Sequence, residues 1–93
     1  MISIKLKFTA QLKDRAGVDS DVILINEKDT LQDLLRELPK TFGSDFGAVL
    51  FDQNGVYRHS NLIVVNQNQV EYGDNILMED GMEIMLMSPI SGG

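Results

Sequence analysis

The chain has 93 residues and a formal net charge of −6, from 14 acidic and 8 basic residues. With no cysteine and an ordinary 43% of hydrophobic residues, it is sized for one domain and excludes a disulfide framework, a thiolate metal site and sulfur chemistry on a side-chain thiol. The acidic balance argues against nucleic acid or an anionic membrane as partner. No apolar stretch approaches spanning length, and the first residues lack a signal peptide's continuous apolar region, so the expected address is cytoplasmic.

Along the chain, Ile2, Ile4, Leu6 and Phe8 alternate with Ser3, Lys5 and Lys7, the period of a strand with one buried face. Residues 9–17 then predict one or two helical turns, with Thr9 as N-cap, Leu12 and Ala16 on one face and Gly17 as the stop. A second strand over 21–25 is expected to pair with the first. Leu31, Leu34, Leu35 and Leu38 form one apolar helical stripe behind Thr30 and Asp33, which have capping-box spacing. Pro39 predicts that the regular helix ends near Leu38, with an irregular turn through Phe42 and Gly43.

Residues 43–61 read as a small hairpin or ordered loop around Asn54-Gly55, between Val49–Phe51 and Val56-Tyr57. Asn61–Val65 is apolar enough to predict a strand buried on both sides. Asn66–Asn68 turns the chain, 70–72 suits a short edge strand, and Asp80-Gly81 launches a last strand over 82–87. The predicted class is α+β: a β-grasp (ubiquitin-like) fold, a mixed sheet with one main helix packed on one face. The whole of 1–93 is expected to be one domain, with 88–93 as a flexible C-terminal Gly-Gly tail.

In the last strand Met82, Ile84 and Leu86 share the face expected to be core, and Glu83, Met85 and Met87 share the other. Met85 and Met87 therefore predict an apolar patch leading to the tail, joined by side chains of the 62–65 strand that miss the core. The competing expectation is that the 43–61 segment covers them. All eight basic residues lie at or before Arg58. Residues 59–93 carry five acids and no base, so the molecule is expected to be polarised with its negative end at the tail, suited to a basic partner surface.

Pro89 ends sheet pairing, Ile90 and Ser91 carry the chain outward, and Gly92-Gly93 has no Cβ to block a channel of backbone width. That suits a terminal carboxylate presented to an activating enzyme. ATP would convert it to a mixed anhydride with AMP, which a sulfur nucleophile can attack. The chain itself shows no catalytic constellation, binds no cofactor by this reading and is not expected to be an enzyme. His59, its one histidine, has no positioned partner, and Asp52 and Asn54 lack the spacing of a calcium loop.

The segments FTAQLKDRAGVDS, TLQDLLREL, NLIVVNQNQV and LMEDGMEIMLMSPISGG resemble, in this order, segments of the MoaD/ThiS group of sulfur carriers, especially the small subunit of molybdopterin synthase. Asn66 matches a common Asn of that group. Met85, Met87 and Ser88 stand where aromatic residues and a Pro pair are frequent, and Asn66-Gln67 replaces the usual Asn-Gly turn. The resemblance implies that a ubiquitin-activating-like adenylating enzyme uses ATP to adenylate Gly93, which becomes a thiocarboxylate, with Gly92 as spacer. It further implies that the tail enters the large subunit of molybdopterin synthase and delivers sulfur for molybdenum or tungsten cofactor. Met85, Met87, Ile90 and Ser91 are then the candidate partner interface. Two alternatives share the sequence: a ubiquitin-like modifier joined through Gly93 to target lysines, and a non-catalytic β-grasp interaction module. Sulfur transfer to thiamin is a sub-case that the length and the 43–61 segment disfavour.

Overall fold

A computed structural model of the chain describes residues 1–90. Eight elements succeed one another: β1 (Ile2–Thr9), α1 (Ala10–Ala16), β2 (Ser20–Ile25), α2 (Leu31–Phe42), α3 (Ser44–Leu50), β3 (Leu62–Val65), β4 (Asn68–Val70) and β5 (Glu83–Met87). The strands form one sheet in the order β2-β1-β5-β3-β4. β1 and β5 lie side by side and parallel, and the other pairs are antiparallel. This is the expected mixed β-grasp sheet.

The alternation in β1 puts Ile4, Leu6 and Phe8 in the core, with Lys5 and Lys7 in water. Paired residues share a face, so Ile84 and Leu86, opposite Leu6 and Phe8, are also core, as are Ile63 and Val65. Met82 is only partly buried and precedes β5, whereas Met78 is fully enclosed. β3 is buried on one side, not two: Leu62 is exposed and Val64 half-buried on the open face.

The Leu31, Leu34, Leu35 and Leu38 stripe of α2 is fully buried. Its capping box is formed: Thr30 Oγ1 accepts from the Asp33 amide (3.3 Å), and Asp33 Oδ2 accepts from the Thr30 amide (3.0 Å). The hydrogen bonds from Thr30 hold the Asp33 carboxyl below the usual range, helped by Arg36. That stabilisation is present above the unfolded carboxyl value and is lost as pH falls through the lowered one.

Two expectations fail between residues 39 and 51. α2 does not stop before Pro39 but runs through it to Phe42. A proline forfeits one helical hydrogen bond, and packing offsets the loss. Phe42 meets Phe8 edge-on with ring centroids 5.1 Å apart and lies 5.2 Å from Phe46. The next residues form helix α3, not a hairpin strand, burying Phe46 and Leu50. Gly47 lets α3 sit against α2, since a Cβ there would come within 2.8 Å of the Pro39 ring. Only a remnant of the expected hairpin survives, a single bridge between Phe51 and Tyr57. The intervening turn is held by Asp52 Oδ1, which accepts from the amides of Asn54 (2.8 Å) and Val56 (3.0 Å). Those contacts occupy Asp52 in the turn.

The β3–β4 turn explains Asn66. Both Asn66 (φ 47°) and Gln67 (φ 74°) are left-handed, as a tight two-residue hairpin turn requires. Asn tolerates that conformation, and its Oδ1 also accepts the Glu83 amide at 2.9 Å, closing the end of the β3–β5 ladder. Gln67 lacks such compensation. Gln67→Gly is therefore expected to raise the unfolding free energy by about 0.5–1 kcal/mol. A urea titration checks this, and an unchanged or lower midpoint contradicts it.

Candidate functional site

The candidate site is built where β5 leaves the sheet. Residues Ser91, Gly92 and Gly93, on which the carboxylate chemistry depends, lie outside the described residues. What the structure describes is the root from which they issue and the surfaces around it.

Ser88 anchors that root. The sequence placed it as the first residue of a flexible tail, but it is 8% exposed. Its hydroxyl donates to the Thr9 carbonyl (2.8 Å) and accepts from the Leu12 amide (3.1 Å). Leu12 is in the first turn of α1, where amides have no partner within the helix. Thr9 occupies the N-cap position as expected but makes no side-chain cap bond. Ser88 performs that task from 76 residues away. Gln11 adds a second tie, its Nε2 donating to the Pro89 carbonyl at 3.1 Å. The turn from β1 into α1 uses Ala10 at φ 50°, a left-handed conformation that costs a non-glycine residue about 1–2 kcal/mol. Ser88→Ala is expected to lower the unfolding free energy by about 1–2 kcal/mol by orphaning a buried amide. An unchanged urea midpoint would contradict the capping role.

Ile90, 86% exposed, points the way out of the fold. Met85 is half-buried and Met87 exposed. Their cross-strand partners are Val64 and Leu62 on β3 and Lys7 and Thr9 on β1, all on the open face. An apolar patch of Leu62, Val64, Met85 and Met87 thus ends at the tail root. The 43–61 segment does not cover it. α3 packs on α1 and α2, and Phe46 meets Phe8 from the core side. At the other end of the patch Lys7 pairs with Glu83 at 3.6 Å.

The charge distribution differs from the one expected. The acids of the final third do not gather at the tail. Asp80 binds the Ser3 amide (2.7 Å) and hydroxyl, beside the start of β1. Those bonds hold its carboxyl below the ordinary value. Glu79 is its neighbour, whereas the tail leaves from the opposite end of β5, about 17 Å along the strand. Closeness in sequence here means opposite ends in space, because a strand runs between them. The charged residues that flank Pro89 are instead Arg15 and Arg58. Neither stood out in the sequence, and no spacing rule links residues 15, 58 and 89.

His59 is exposed and meets the Tyr57 ring edge-on at 5.3 Å. Among the described residues, no group of three His, Cys, Asp or Glu side chains could hold a metal ion. No described helix is long and apolar enough to cross a membrane.

Comparison with known proteins places this geometry. A family model described as the ThiS family matches residues 6–93. No curated protein matches the chain. Among solved structures, the chain is similar to SAMP1 from Haloferax volcanii, with a TM-score of 0.84, 23% identity and coverage of 98% of this chain and 99% of the other. It is also similar to small archaeal modifier protein 1 (SAMP1) from Methanosarcina acetivorans, with a TM-score of 0.79, 26% identity and coverage of 100% and 98%. A putative molybdopterin converting factor, subunit 1, from Pyrococcus furiosus is similar at a TM-score of 0.73, 24% identity and coverage of 97% and 100%.

Proposed function

The chain belongs to the ThiS family, and from that premise we propose that it is a sulfur carrier whose Gly93 carboxylate is adenylated and then thiocarboxylated. The carboxylate would attack the α-phosphorus of ATP and release pyrophosphate. Sulfide, as HS−, would then attack the acyl carbon and release AMP, leaving Gly93 as the thiocarboxylate. An activating enzyme of the ubiquitin-activating kind supplies the acid, base and metal for these steps. The carrier's contribution is presentation.

The observation that carries the reading is the tail root. Ser88 and Gln11 fix where the chain departs, Ile90 is exposed directly beyond it, and the family match continues through Gly93. Gly92, without a Cβ, suits a channel too narrow for a side chain. The Leu62–Met85–Met87 patch lies beside the departing chain, where a receiving protein can bury it, with Ile90 and Ser91 continuing the contact. In the full reading the receiver is the large subunit of molybdopterin synthase, and the sulfur goes to a pterin precursor of molybdenum or tungsten cofactor. The similarity to the Pyrococcus furiosus protein supports that assignment.

A second reading is favoured by the SAMP1 similarities: the same acyl-adenylate passes to lysines of target proteins, and the chain acts as a ubiquitin-like modifier. Expression of the tagged chain in its own cells separates the two. A carrier gives free protein bearing sulfur at its C-terminal residue. A modifier gives higher-mass adducts whose tryptic peptides carry residues 59–93 branched on lysine, because trypsin finds no Lys or Arg after Arg58.

A further inference from the structure

Arg15 and Arg58 take no part in the carrier chemistry, yet both stand at the tail root. With Gln11, Ala48, Asn61 and Pro89 they line a groove of about 300 Å³ that no carboxylate lines. Among the described residues neither arginine forms an ion pair. Arg58 is held in place by its Nε, which donates to the Ala48 carbonyl at 3.0 Å. Asn61, 3% exposed, donates from Nδ2 to the Val49 (2.7 Å) and Arg58 (3.1 Å) carbonyls. Turning the amide over would set its oxygen against those two carbonyls, so its orientation is fixed. Its buried Oδ1 is left without a partner among the described residues. The groove therefore presents two guanidinium groups without a carboxylate partner, in a chain whose net charge is −6.

Guanidinium groups pair best with planar, bidentate anions such as carboxylates. We propose that this groove seats acidic side chains of the enzyme that activates the tail, an inference that rests on the carrier reading above. Pro89 lines the groove and Gln11 holds its carbonyl, so a partner that grips the two arginines also sets the origin of the tail. The two arginines thus put positive charge beside the point where the tail leaves. A complementary partner is steered into one orientation before the glycines are threaded.

The test is ATP–pyrophosphate exchange by a ubiquitin-activating-like enzyme from the same organism, with the whole protein as substrate. Arg15→Glu is compared with Lys28→Glu, which makes the same charge change beyond β2 at the opposite end of the sheet. Arg58→Gln is added, with thermal melts to show that each variant folds. Arg15→Glu should raise the KM for the carrier by about tenfold and flatten its dependence on salt. Arg58→Gln should act in the same direction, while kcat and the KM for ATP hold and Lys28→Glu stays near the parent. Equal effects of Arg15→Glu and Lys28→Glu would overturn the inference and leave the carrier reading standing. So would a loss confined to the KM for ATP, which would assign the groove to nucleotide phosphate. Absence of exchange with the unaltered protein would overturn the carrier reading and this inference with it.

Discussion

Phe46→Ala should lower the unfolding free energy by about 3–5 kcal/mol, a large part of the roughly 5–15 kcal/mol available to a domain of this kind. Phe46 is fully buried, with its ring 5.1 Å from that of Phe8 and 5.2 Å from that of Phe42. It is the point at which three elements meet: the end of β1, the last turn of α2 and the whole of α3. A seven-residue helix does not hold its shape alone. α3 persists because Phe46 and Leu50 are buried against its neighbours. Truncating Phe46 leaves a cavity and also removes the reason for α2 to continue through Pro39. Urea denaturation measures the effect, and Phe46→Leu should recover most of the loss. A decrease below about 1 kcal/mol would show that the aromatic cluster is not what holds α3 to the sheet.

Removing Gly93 should have the opposite profile: activity lost and the fold untouched. The chemistry requires a carboxylate at one distance from the body of the carrier. Deletion moves it by one residue, about 3.5 Å, and misplacement by even ~1 Å can cost on the order of 10²-fold in rate. Pyrophosphate exchange should therefore fall by about 10²-fold or more. The melting temperature should not move, because the last buried residue described is Ser88 and Ile90 is exposed. A clear loss of thermal stability would contradict the view that the end of the chain serves only to be presented. Normal exchange by the shortened chain would contradict the role given to Gly93.

Much of the framework could be read from local pattern. Period two in Ile2–Phe8, the leucine stripe of α2, the Thr30–Asp33 box and the Gly17 stop each depend on residues within a few positions of one another, and each appears in the structure. Met85 and Met87 could be assigned to the open face because alternation in a strand is rigid. The misreadings arise where distant contacts decide. Pro39 tolerates helix because Phe42 finds Phe8 and Phe46. α3 did carry a signal, since Phe46, Val49 and Leu50 have helical spacing, but Asn54-Gly55 drew Val49–Phe51 toward a hairpin strand. β3 is apolar throughout yet has only one covered face, because composition does not show that the sheet lacks a second layer over the Leu62–Met87 pair.

The site shows the same division. The glycines, Pro89 and the two methionines are adjacent in sequence and could be grouped from it. Ser88 as the cap of α1, Gln11 on Pro89 and the arginine-lined groove depend on the parallel register of β1 with β5, which sets residue 9 beside residue 87. The acids were expected at the tail because they are near it in sequence. They stand before β5 or at its first residue and the tail stands after it, so the length of the strand separates the two.

The most direct test is the intact mass of the protein after incubation with a ubiquitin-activating-like enzyme from the same organism, ATP and a sulfur donor. The account predicts a mass increase equal to exchange of one oxygen for one sulfur, mapped by fragmentation to Gly93 and dependent on ATP. An unchanged mass, under conditions in which that enzyme adenylates another carrier, would contradict it.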